Sequence, residues 1–570
     1  MVLAFLLISC NCNVLNFIWH GFHFPNMLPY RFFFLFSFVL LVIGYRAFIL
    51  ILEESMKMWD ILAMLLLSIA VFVVSYKVAD DQAVFWTSIT ALLYCFIFFL
   101  YIRKIFNRKL FWTTMTVVIC FEMFENTRIG TEKVSTSDYV SYPSTIESVS
   151  TLLDEIETQD DSLFYRMEIS TTYTLNDLAL YGYNGLSQFS SMANVSTTKW
   201  MRSLGLAASE AGNRYYYAGS SPVTAMFTGL RYLICRSGNT SDTLTWQTFA
   251  TADNATAYEN RYDLSVGFWT SADLTEYISY PDGNAFENQN TLFQLATGID
   301  TPLFTAVEVD SIHGTDTILS SNGYGSFSYT VESGSDDAVM QFQYNCEETS
   351  YLYAYVRAND STSVTVRQNG VELNSYDVSR QPYIFPLGKY TASDTANISI
   401  DLADDASSGV VILYVYCLNA DVLDAGYEIL SQGQLTLTEF SDTALSGMIT
   451  AQEDGLCYFS IPYDSGWHAQ VDGVDAEIEV IGNVMIAVSV MERMHTITLR
   501  YIPKGFVTGV YITIGSMAIL LALWMIERKR HKPLLPSITS KKEEIMVAPD
   551  IQESLEILES QKSTPEETEL

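Results

Sequence analysis

The sequence predicts an integral membrane protein with an α-helical transmembrane bundle, a large extracytoplasmic α/β region, tandem β-sandwich modules and a C-terminal transmembrane helix. The 570 residues are 49% hydrophobic with a mean hydropathy of +0.17, which is high for a water-soluble domain. The apolar residues form long runs near both ends, and no comparable run lies between Glu125 and Gly505. Turn signals at Asn369-Gly370 and Asp472-Gly473 separate alternating strands in this middle region.

The transmembrane elements are predicted from run length, because one bilayer crossing requires about 20 consecutive apolar residues. Residues 110–124 form a shorter and weaker candidate than the other runs. We therefore expect a bundle in residues 1–124 and a closing helix in residues 504–527. The runs that approach the required length are 32–52, 58–76, 83–102 and 506–526.

The orientation is predicted from basic residues, since short loops rich in Lys and Arg stay in the cytoplasm. One basic cluster occupies residues 103–109 and another occupies residues 528–532. With both clusters inside, the helix at 110–124 carries the chain out and the middle region is extracytoplasmic. Residues 528–570 are then a cytoplasmic tail, and their polar composition is typical of disorder.

The middle region divides by pattern into three parts. Residues 125–319 read as a mixed α/β region, with helical apolar spacing at 144–160. Residues 320–420 read as a first β-sandwich module, and residues 421–503 as a second with a short leading helix. The two hairpin turns lie about 100 residues apart, which indicates a tandem repeat.

Charge and motifs exclude several classes of function. The net charge of −34 repels nucleic acid, whose phosphates are bound by Lys and Arg clusters. The eight cysteines show no spacing typical of a metal site. The chain contains no Walker loop, no dinucleotide glycine motif, no HExxH and no G-x-S-x-G. A soluble nucleotide-sugar transferase is therefore disfavoured.

Seven stretches of the chain are informative together: HGFHFPNMLPYRFFFLFSF, FYRMEI, YGYNGLSQFSSM, LGL, TGLRYLICR, FSIPYDSGWHAQVDG and HTITLRYIPKGFVTG. Together they resemble one family, the bacterial YfhO membrane proteins, from about residue 19 to residue 526. The resemblance implies a polytopic protein similar to GT-C glycosyltransferases. Its expected partners are the lipid bilayer, a polyprenyl-phosphate sugar as donor, a cell-wall polymer such as lipoteichoic acid as acceptor, and other membrane proteins of the glycosylation pathway.

The chain departs from the family at its start. Family proteins are longer at the N-terminus, and their outer loop after the first membrane helix has no counterpart here. In GT-C enzymes that loop carries the acidic catalytic residue. We therefore expect this chain to be the C-terminal portion of a transferase. The alternative is a non-catalytic, membrane-anchored scaffold that binds glycan or protein outside the membrane.

The loop before residue 32 carries the first candidate site. A guanidinium pairs with phosphate in a bidentate way, and Arg31 is predicted at headgroup depth, where a lipid phosphate leaves. The alternative is ordinary anchoring among headgroups by Trp19, Tyr30 and Arg31. The candidate residues for lipid phosphate or substrate are His20, His23, Asn26, Tyr30 and Arg31.

Two further sets of residues are candidates. Asp80 and Asp81 are weak catalytic candidates on a predicted outer loop, where they could hold a divalent cation or act as a base; a solvated turn is the alternative. No other cofactor is expected, and no metal site is assigned. Possible glycan contacts mix hydroxyl, amide and aromatic groups, although the aromatic residues also suit a core. These are Ser187, Gln188, Trp200 and Trp467.

Overall fold

A computed structural model describes most of the chain. The described residues are 2–24, 30–52, 57–76, 81–134, 136, 145–170, 172–236, 238–332, 338–358 and 360–530. Of residues 50–52, 81 and 530 it describes the backbone only. The tail from residue 531, predicted to be disordered, lies outside this description, as do Asn26 and Asp80.

The N-terminal part is helical. Helices α1 and α2 are bent by 102° relative to each other. The predicted run at 32–52 forms α3, and the runs at 58–76 and 83–102 form α4 and α5. The bounds are α1 (Val2–Ser9), α2 (Asn13–Trp19), α3 (Phe33–Leu52), α4 (Met58–Ser75), α5 (Asp81–Ile102) and α6 (Arg108–Glu132).

Length and composition identify candidate membrane spans among the described residues. Three helical stretches are long and apolar enough to cross a bilayer: Met58–Ser75, Gln82–Ile102 and Phe506–Lys529. The pair α1 and α2 adds a fourth if the two helices act as one broken span. Within α3, residues Phe33–Ile49 form a shorter apolar helix. A membrane protein with a C-terminal apolar helix is thus confirmed.

Helix α6 is longer than the predicted 110–124 segment. Its last turns are polar and are stabilised by ion pairs of Arg128 with Glu125 at 2.9 Å and with Glu132 at 2.6 Å. These pairs extend the helix past the end of the apolar run. This polar composition also explains why α6 is not among the candidate spans.

The apolar helices expose most of their side chains. A small core joins α4, α5 and α6 around Ile61, Phe98 and Phe111. Elsewhere large apolar side chains are open, for example Leu67 at 67% and Val74 at 73% exposure. A surface this apolar is stable against lipid tails and not against water. The exposed faces of these helices therefore contact lipid.

The next part of the chain mixes helices and strands. Strands β1, β5, β7 and β6 form a sheet in that order, with β1 parallel to β5. Apolar residues of α7 pack on this sheet, as their helical spacing predicts. The bounds are α7 (Ile146–Gln159), β1 (Arg166–Ser170), α8 (Asp177–Tyr181), β2 (Gln188–Phe189), α9 (Val195–Ser203), β3 (Ala207–Ala208), β4 (Arg214–Tyr216), α10 (Pro222–Thr228), β5 (Leu230–Cys235), β6 (Trp246–Ala252), β7 (Ala255–Asn260), β8 (Gly267–Thr270), a 3-10 helix (Ala272–Glu276) and α11 (Ala285–Thr297).

The first β-rich part contains two sheets. One has the order β10-β13-β18-β15-β16, and the other has the order β11-β12-β19-β14-β17 with β9 beside β19. Inward side chains of both sheets share one apolar core, which includes Phe342, Ile398 and Val411. The strands are β9 (Phe304–Ala306), β10 (Ser311–Thr315), β11 (Thr317–Gly323), β12 (Ser326–Val331), β13 (Val339–Asn345), β14 (Ser350–Arg357), β15 (Ser361–Gln368), β16 (Val371–Asp377), β17 (Ile384–Tyr390), β18 (Thr395–Leu402) and β19 (Ser408–Leu418).

A helix and a second β-rich part follow. Its sheets have the orders β20-β21-β27-β23-β24 and β25-β26-β22-β8. The chain then enters α13 directly. The bounds are α12 (Ala420–Ser431), β20 (Thr436–Ser441), β21 (Ala444–Thr450), β22 (Gly455–Pro462), β23 (Trp467–Val471), β24 (Val474–Ala476), β25 (Glu479–Ile481), β26 (Met485–Val490), β27 (Met494–Tyr501) and α13 (Phe506–Arg530).

The two five-stranded sheets have matching connectivity. Each places a two-residue hairpin at one edge, Asn369-Gly370 between β15 and β16 and Asp472-Gly473 between β23 and β24. All four turn residues have positive φ, from 51° to 83°, as a type I′ turn requires. In each sheet the inner strand of the hairpin, β15 or β23, pairs on its other side with the strand that comes last in sequence, β18 or β27. This arrangement agrees with the repeat seen in the sequence.

The sheets cross the predicted boundaries between regions. Strand β10 precedes residue 320, where the first β module was predicted to begin, and strand β11 spans it. Strand β8, from the α/β region, pairs with β22 of the second β-rich part. One large apolar core also joins all three regions, through Trp200, Tyr353 and Tyr458 among others. The described residues of these three regions therefore share one core.

Candidate functional site

Two of the predicted lipid-phosphate residues, His20 and Tyr30, contact Phe32, the residue just before α3. The buried ring of Phe32 stacks on Trp19 at 5.2 Å between centroids and meets His20 edge-on at 6.1 Å. Tyr30 lies perpendicular to the same ring at 6.4 Å. Phe32 thus brings the two ends of the 19–32 segment together, with Arg31 between Tyr30 and Phe32 in the chain.

The polar groups of this segment are available for a ligand to different degrees. Arg31 and His23 are exposed. The Nδ1 atom of His20 lies 2.7 Å from the backbone oxygen of Asn16. The Nε2 atom of His20 and the Oδ1 atom of Asn16 are buried without a hydrogen-bond partner in the described part of the chain. Buried polar atoms of this kind usually have a hydrogen-bond partner.

The acidic catalytic candidates, Asp80 and Asp81, lie wholly or partly outside the described residues. Asp81 is the first residue of α5, and its side chain is outside the described set, as is the whole of Asp80. Within the described chain, no group of three or more His, Cys, Asp or Glu side chains is arranged to hold a metal ion.

Ser187 belongs to a buried hydrogen-bond network around Glu168. The Glu168 carboxylate accepts from the backbone N–H of Leu186, from the N–H of Ser187 at 2.6 Å and from Ser187 Oγ at 3.0 Å. Ser187 Oγ in turn accepts from the N–H of Tyr217 at 2.9 Å. Its hydroxyl group therefore makes its hydrogen bonds inside the protein. The neighbouring Gln188 is half-buried and pairs with Tyr215 in a short sheet.

Glu168 makes the stability of the fold depend on pH. Burial raises its pKa from 4.5 to about 7, although the hydrogen bonds from Ser187 and Leu186 act in the opposite direction. The folded state then holds this proton more tightly than the unfolded state. We expect the free energy of unfolding to fall by about 3 kcal/mol as pH rises from about 4.5 through 7.

Denaturant unfolding of the protein in nanodiscs at pH 5 and pH 8 measures this effect. Glu168→Gln removes the titrating group and should flatten the pH dependence by the same amount. The same change at Glu439, an exposed residue of β20, is the matched control. Equal pH dependence in the wild type and the Glu168 variant would contradict the assignment.

The two tryptophans lie in different surroundings. Trp200 is fully buried in the largest core, so it offers no surface to a glycan. Trp467 is half-buried in β23 and packs against Tyr501 at 5.1 Å between ring centroids. The structure brings none of the four predicted glycan contacts together with another at one surface.

A polar cleft of about 400 Å³ lies elsewhere, between the α/β region and the first β-rich part. We call it the junction cleft. Its lining combines hydroxyl, amide, carboxylate, guanidinium and phenol groups, which is the mixture that a polyhydroxylated ligand requires. The principal polar residues are Tyr216, Asn239, Thr240, Ser241, Asp242, Asn374, Ser375, Tyr376, Asp377, Arg380 and Tyr383.

Hydrogen bonds tie the two walls of the junction cleft to each other. The backbone oxygen of Pro386 accepts from Tyr376 Oη at 2.7 Å and from Ser241 Oγ at 3.0 Å. Ser241 Oγ also lies 3.0 Å from Tyr376 Oη. Burial raises the pKa of Tyr376 to about 12. Its phenol therefore stays protonated at neutral pH and keeps these bonds.

The junction cleft has a buried carboxyl group at its floor and exposed charged side chains at its rim. At the floor, Asp242 accepts from the N–H of Thr245 at 2.9 Å, and burial raises the pKa of its carboxyl. At the rim, Arg380 and Asp377 are exposed. Arg380 forms no ion pair within the described part of the chain. The rim thus offers a free guanidinium beside a floor of hydrogen-bonding groups.

Sequence reasoning missed the junction cleft. Its lining comes from segments more than a hundred residues apart, and no local pattern joins them. One signal did point to it: the hairpin at Asn369-Gly370 was recognised, and its second strand, β16, carries Asn374, Tyr376 and Asp377. The contact of β16 with residues 239–242 required the tertiary structure.

Comparison with known proteins gives one match over most of the chain. A family model described as "Bacterial membrane protein YfhO" matches residues 1–513. Among curated proteins, none matches with statistical significance.

Solved structures match only parts of the chain. A family two carbohydrate esterase from Clostridium thermocellum is 7% identical with a TM-score of 0.13, and the match covers 19% of this chain and 30% of the esterase. A carbohydrate-binding module, CBM36, in complex with calcium and xylotriose is 14% identical with a TM-score of 0.14, over 20% of this chain and 96% of the module. Similarity this low carries no conclusion about fold or function.

Proposed function

Because the chain belongs to the bacterial YfhO membrane protein family, we propose that it serves in glycosyl transfer at the outer face of the cell membrane. The sugar comes from a polyprenyl-phosphate donor and goes to a cell-wall polymer such as lipoteichoic acid. The observation that carries this proposal is the family match, which includes the N-terminal helices, the 19–32 segment and the junction cleft.

The 19–32 segment is the proposed donor site. In the reaction an acceptor hydroxyl oxygen bonds the anomeric carbon, the bond from that carbon to the phosphate breaks, and polyprenyl phosphate leaves. A general base takes the hydroxyl proton; Asp80 and Asp81 stay the proposed candidates. The exposed guanidinium of Arg31 would stabilise the charge that develops on the phosphate. Because Nδ1 of His20 donates to the backbone oxygen of Asn16, the unpartnered Nε2 atom would donate to the same group only in the imidazolium form.

The junction cleft is the proposed acceptor site. Its hydroxyl and amide groups can pair with the hydroxyls of a polymer, and Arg380 can pair with an anionic group of that polymer. The proposal places residues 125–503 outside the membrane, the helices of residues 1–124 in a GT-C-like bundle, and residues 528–570 in the cytoplasm. Proteins of the same glycosylation pathway are the expected partners in the bilayer.

A second function is supported by the junction cleft itself. The cleft is built on the extramembrane body, and none of the described residues 19–24 and 30–32 lines it. A non-catalytic scaffold that holds glycan or protein would need this cleft and the membrane helices, and no donor site. Loss of function in a cleft variant, with no effect of an Arg31 variant, would favour the scaffold.

Arg380→Ala tests the acceptor site. We expect the KM for the polymer acceptor to rise about tenfold with little change in kcat, because a charge-assisted hydrogen bond used equally in ground and transition states is lost. The assay measures labelled sugar moved from a polyprenyl-phosphate donor to the polymer by protein in proteoliposomes. Arg261→Ala, an exposed arginine outside the cleft, is the control. An unchanged KM for Arg380→Ala would remove the cleft from the proposal.

A further inference from the structure

The outer face of the first five-stranded sheet carries two adjacent rows of polar side chains. In the first row Ser311 pairs with Gln343, Gln343 with Asn397, and Asn397 with Arg367. In the second row His313 pairs with Gln341, Gln341 with Ser399, and Ser399 with Thr365. We call these eight residues the polar platform; they lie on β10, β13, β18 and β15.

Strand alternation explains why the platform faces outward. The intervening residues, such as Phe342, Ile398 and Val366, are fully or almost fully buried in the core shared with the facing sheet. Because successive side chains on a strand point to opposite faces, the polar residues must point away from that core. His313 and Gln341 are exposed, and Gln343, Asn397 and Arg367 are half-buried.

The platform is concave, and some of its side chains make no hydrogen bond to another described residue. It lines a depression of about 500 Å³. Arg367 forms its base, since its Nη1 donates to Ser399 Oγ at 2.9 Å. The side chains of His313, Gln341 and Asn397 make no hydrogen bond to another described residue. Their donors and acceptors are therefore free for a ligand.

The charge of the platform favours an uncharged ligand. None of its eight residues is acidic, although the chain has 65 Asp and Glu residues. The single arginine is occupied by Ser399 and by Glu372 at 3.5 Å. Amide and hydroxyl side chains donate and accept at neighbouring positions, which matches the hydroxyls of a sugar. A polyanion would be repelled by the net charge of −34 and would find no free cation here.

The dimensions favour a chain of sugars. Four neighbouring strands span about 14 Å, and the two rows are about 7 Å apart along the strands. The next strand beside β15 is β16, whose Ser375 and Asp377 line the junction cleft. A glycan lying across the strands would therefore extend toward the rim of that cleft.

We propose that the polar platform binds an uncharged, hydroxyl-rich oligosaccharide chain, at a site separate from the junction cleft. Binding at the platform requires no donor and no transfer, so it goes beyond the proposed function. Its test depends neither on Arg31 nor on the transfer assay.

Binding to full-length protein in nanodiscs tests this inference. The ligands are uncharged hexasaccharides of glucose, mannose, galactose and N-acetylglucosamine, with poly(glycerol phosphate) as competitor. We expect at least one hexasaccharide to bind, and His313→Ala/Gln341→Ala to weaken that binding about tenfold or more, since several neutral hydrogen bonds are lost. Gln341→Ala alone should give a smaller loss. Gln247→Ala, an exposed amide on β6, should leave binding unchanged.

Other outcomes would overturn the inference. They are binding of none of the hexasaccharides, an equal loss in the Gln247 variant, or displacement by poly(glycerol phosphate). Loss in Arg380→Ala with full binding in the platform variants would also overturn it, because the hexasaccharide would then occupy the cleft. Unchanged melting temperatures of all variants establish that the effects are not unfolding.

Discussion

Arg31→Ala is expected to lower the rate of sugar transfer from the polyprenyl-phosphate donor by about 10²- to 10³-fold. This is the cost of removing one preorganised group that stabilises charge developing in a transition state. Arg31 is exposed, and it is fixed between Tyr30 and Phe32, which pack together. Arg31→Lys keeps the charge but loses the bidentate geometry, so its rate should lie between those of the wild type and the alanine variant.

Arg103→Ala is the matched control for Arg31. Arg103 is an exposed arginine just after α5, in the basic cluster assigned to the opposite edge of the bilayer. Anchoring among headgroups would make the two arginines equivalent. A transfer rate reduced equally by both alanine variants would support anchoring. A transfer rate unchanged by Arg31→Ala would remove Arg31 from the donor site.

Asp177→Ala is expected to lower the free energy of unfolding by about 3–5 kcal/mol, because it leaves a buried cation without its partner. Asp177 and Arg236 pair at 2.5 Å with side chains that are 1% and 4% exposed. Asp177 also accepts from the backbone N–H groups of Tyr173 and Thr174, at 3.0 and 2.8 Å. The guanidinium of Arg236 lies 4.1 Å from the centre of the Tyr173 ring.

Denaturant unfolding of the protein in nanodiscs measures this loss. The double variant Asp177→Ala/Arg236→Met removes both charges and should be more stable than Asp177→Ala alone. Asp442→Ala, at an exposed turn between β20 and β21, provides a control for the loss of a surface carboxylate. A loss below about 1 kcal/mol for Asp177→Ala, the range of surface pairs, would show that Arg236 is not held by this partner.

The membrane helices were predictable because lipid imposes a simple rule. An apolar run of about 20 residues has few stable alternatives to a spanning helix. Helices α4, α5 and α13 follow that rule closely. The end of α6 does not, because ion pairs of Arg128 and not apolar length determine its last turns.

The two hairpin turns were equally predictable from the sequence. Asn369-Gly370 and Asp472-Gly473 adopt the positive φ values that their residue types favour. Boundaries between regions were less readable, because strands such as β10 and β11 are rich in Ser, Thr and Gly and lack clear alternation. The pairing of β8 with β22 joins residues far apart in the chain, so no local pattern could reveal it.

The candidate sites also differ in how far the sequence could predict them. The 19–32 segment was identified because its residues are close in sequence and lie beside an apolar run. Trp200 was ambiguous, since a buried tryptophan and a sugar-stacking one look alike in sequence. The junction cleft and the polar platform depend on sheet register and on contacts between regions, which only the folded chain contains.

The central claim is that the sugar donor is a polyprenyl phosphate. The most direct measurement is transfer of labelled sugar to a cell-wall polymer by protein in proteoliposomes, with either a polyprenyl-phosphate sugar or a nucleotide sugar as donor. We expect label in the polymer with the lipid donor only. Incorporation from the nucleotide sugar without lipid, or no incorporation from the lipid donor while the polymer still binds, would contradict it.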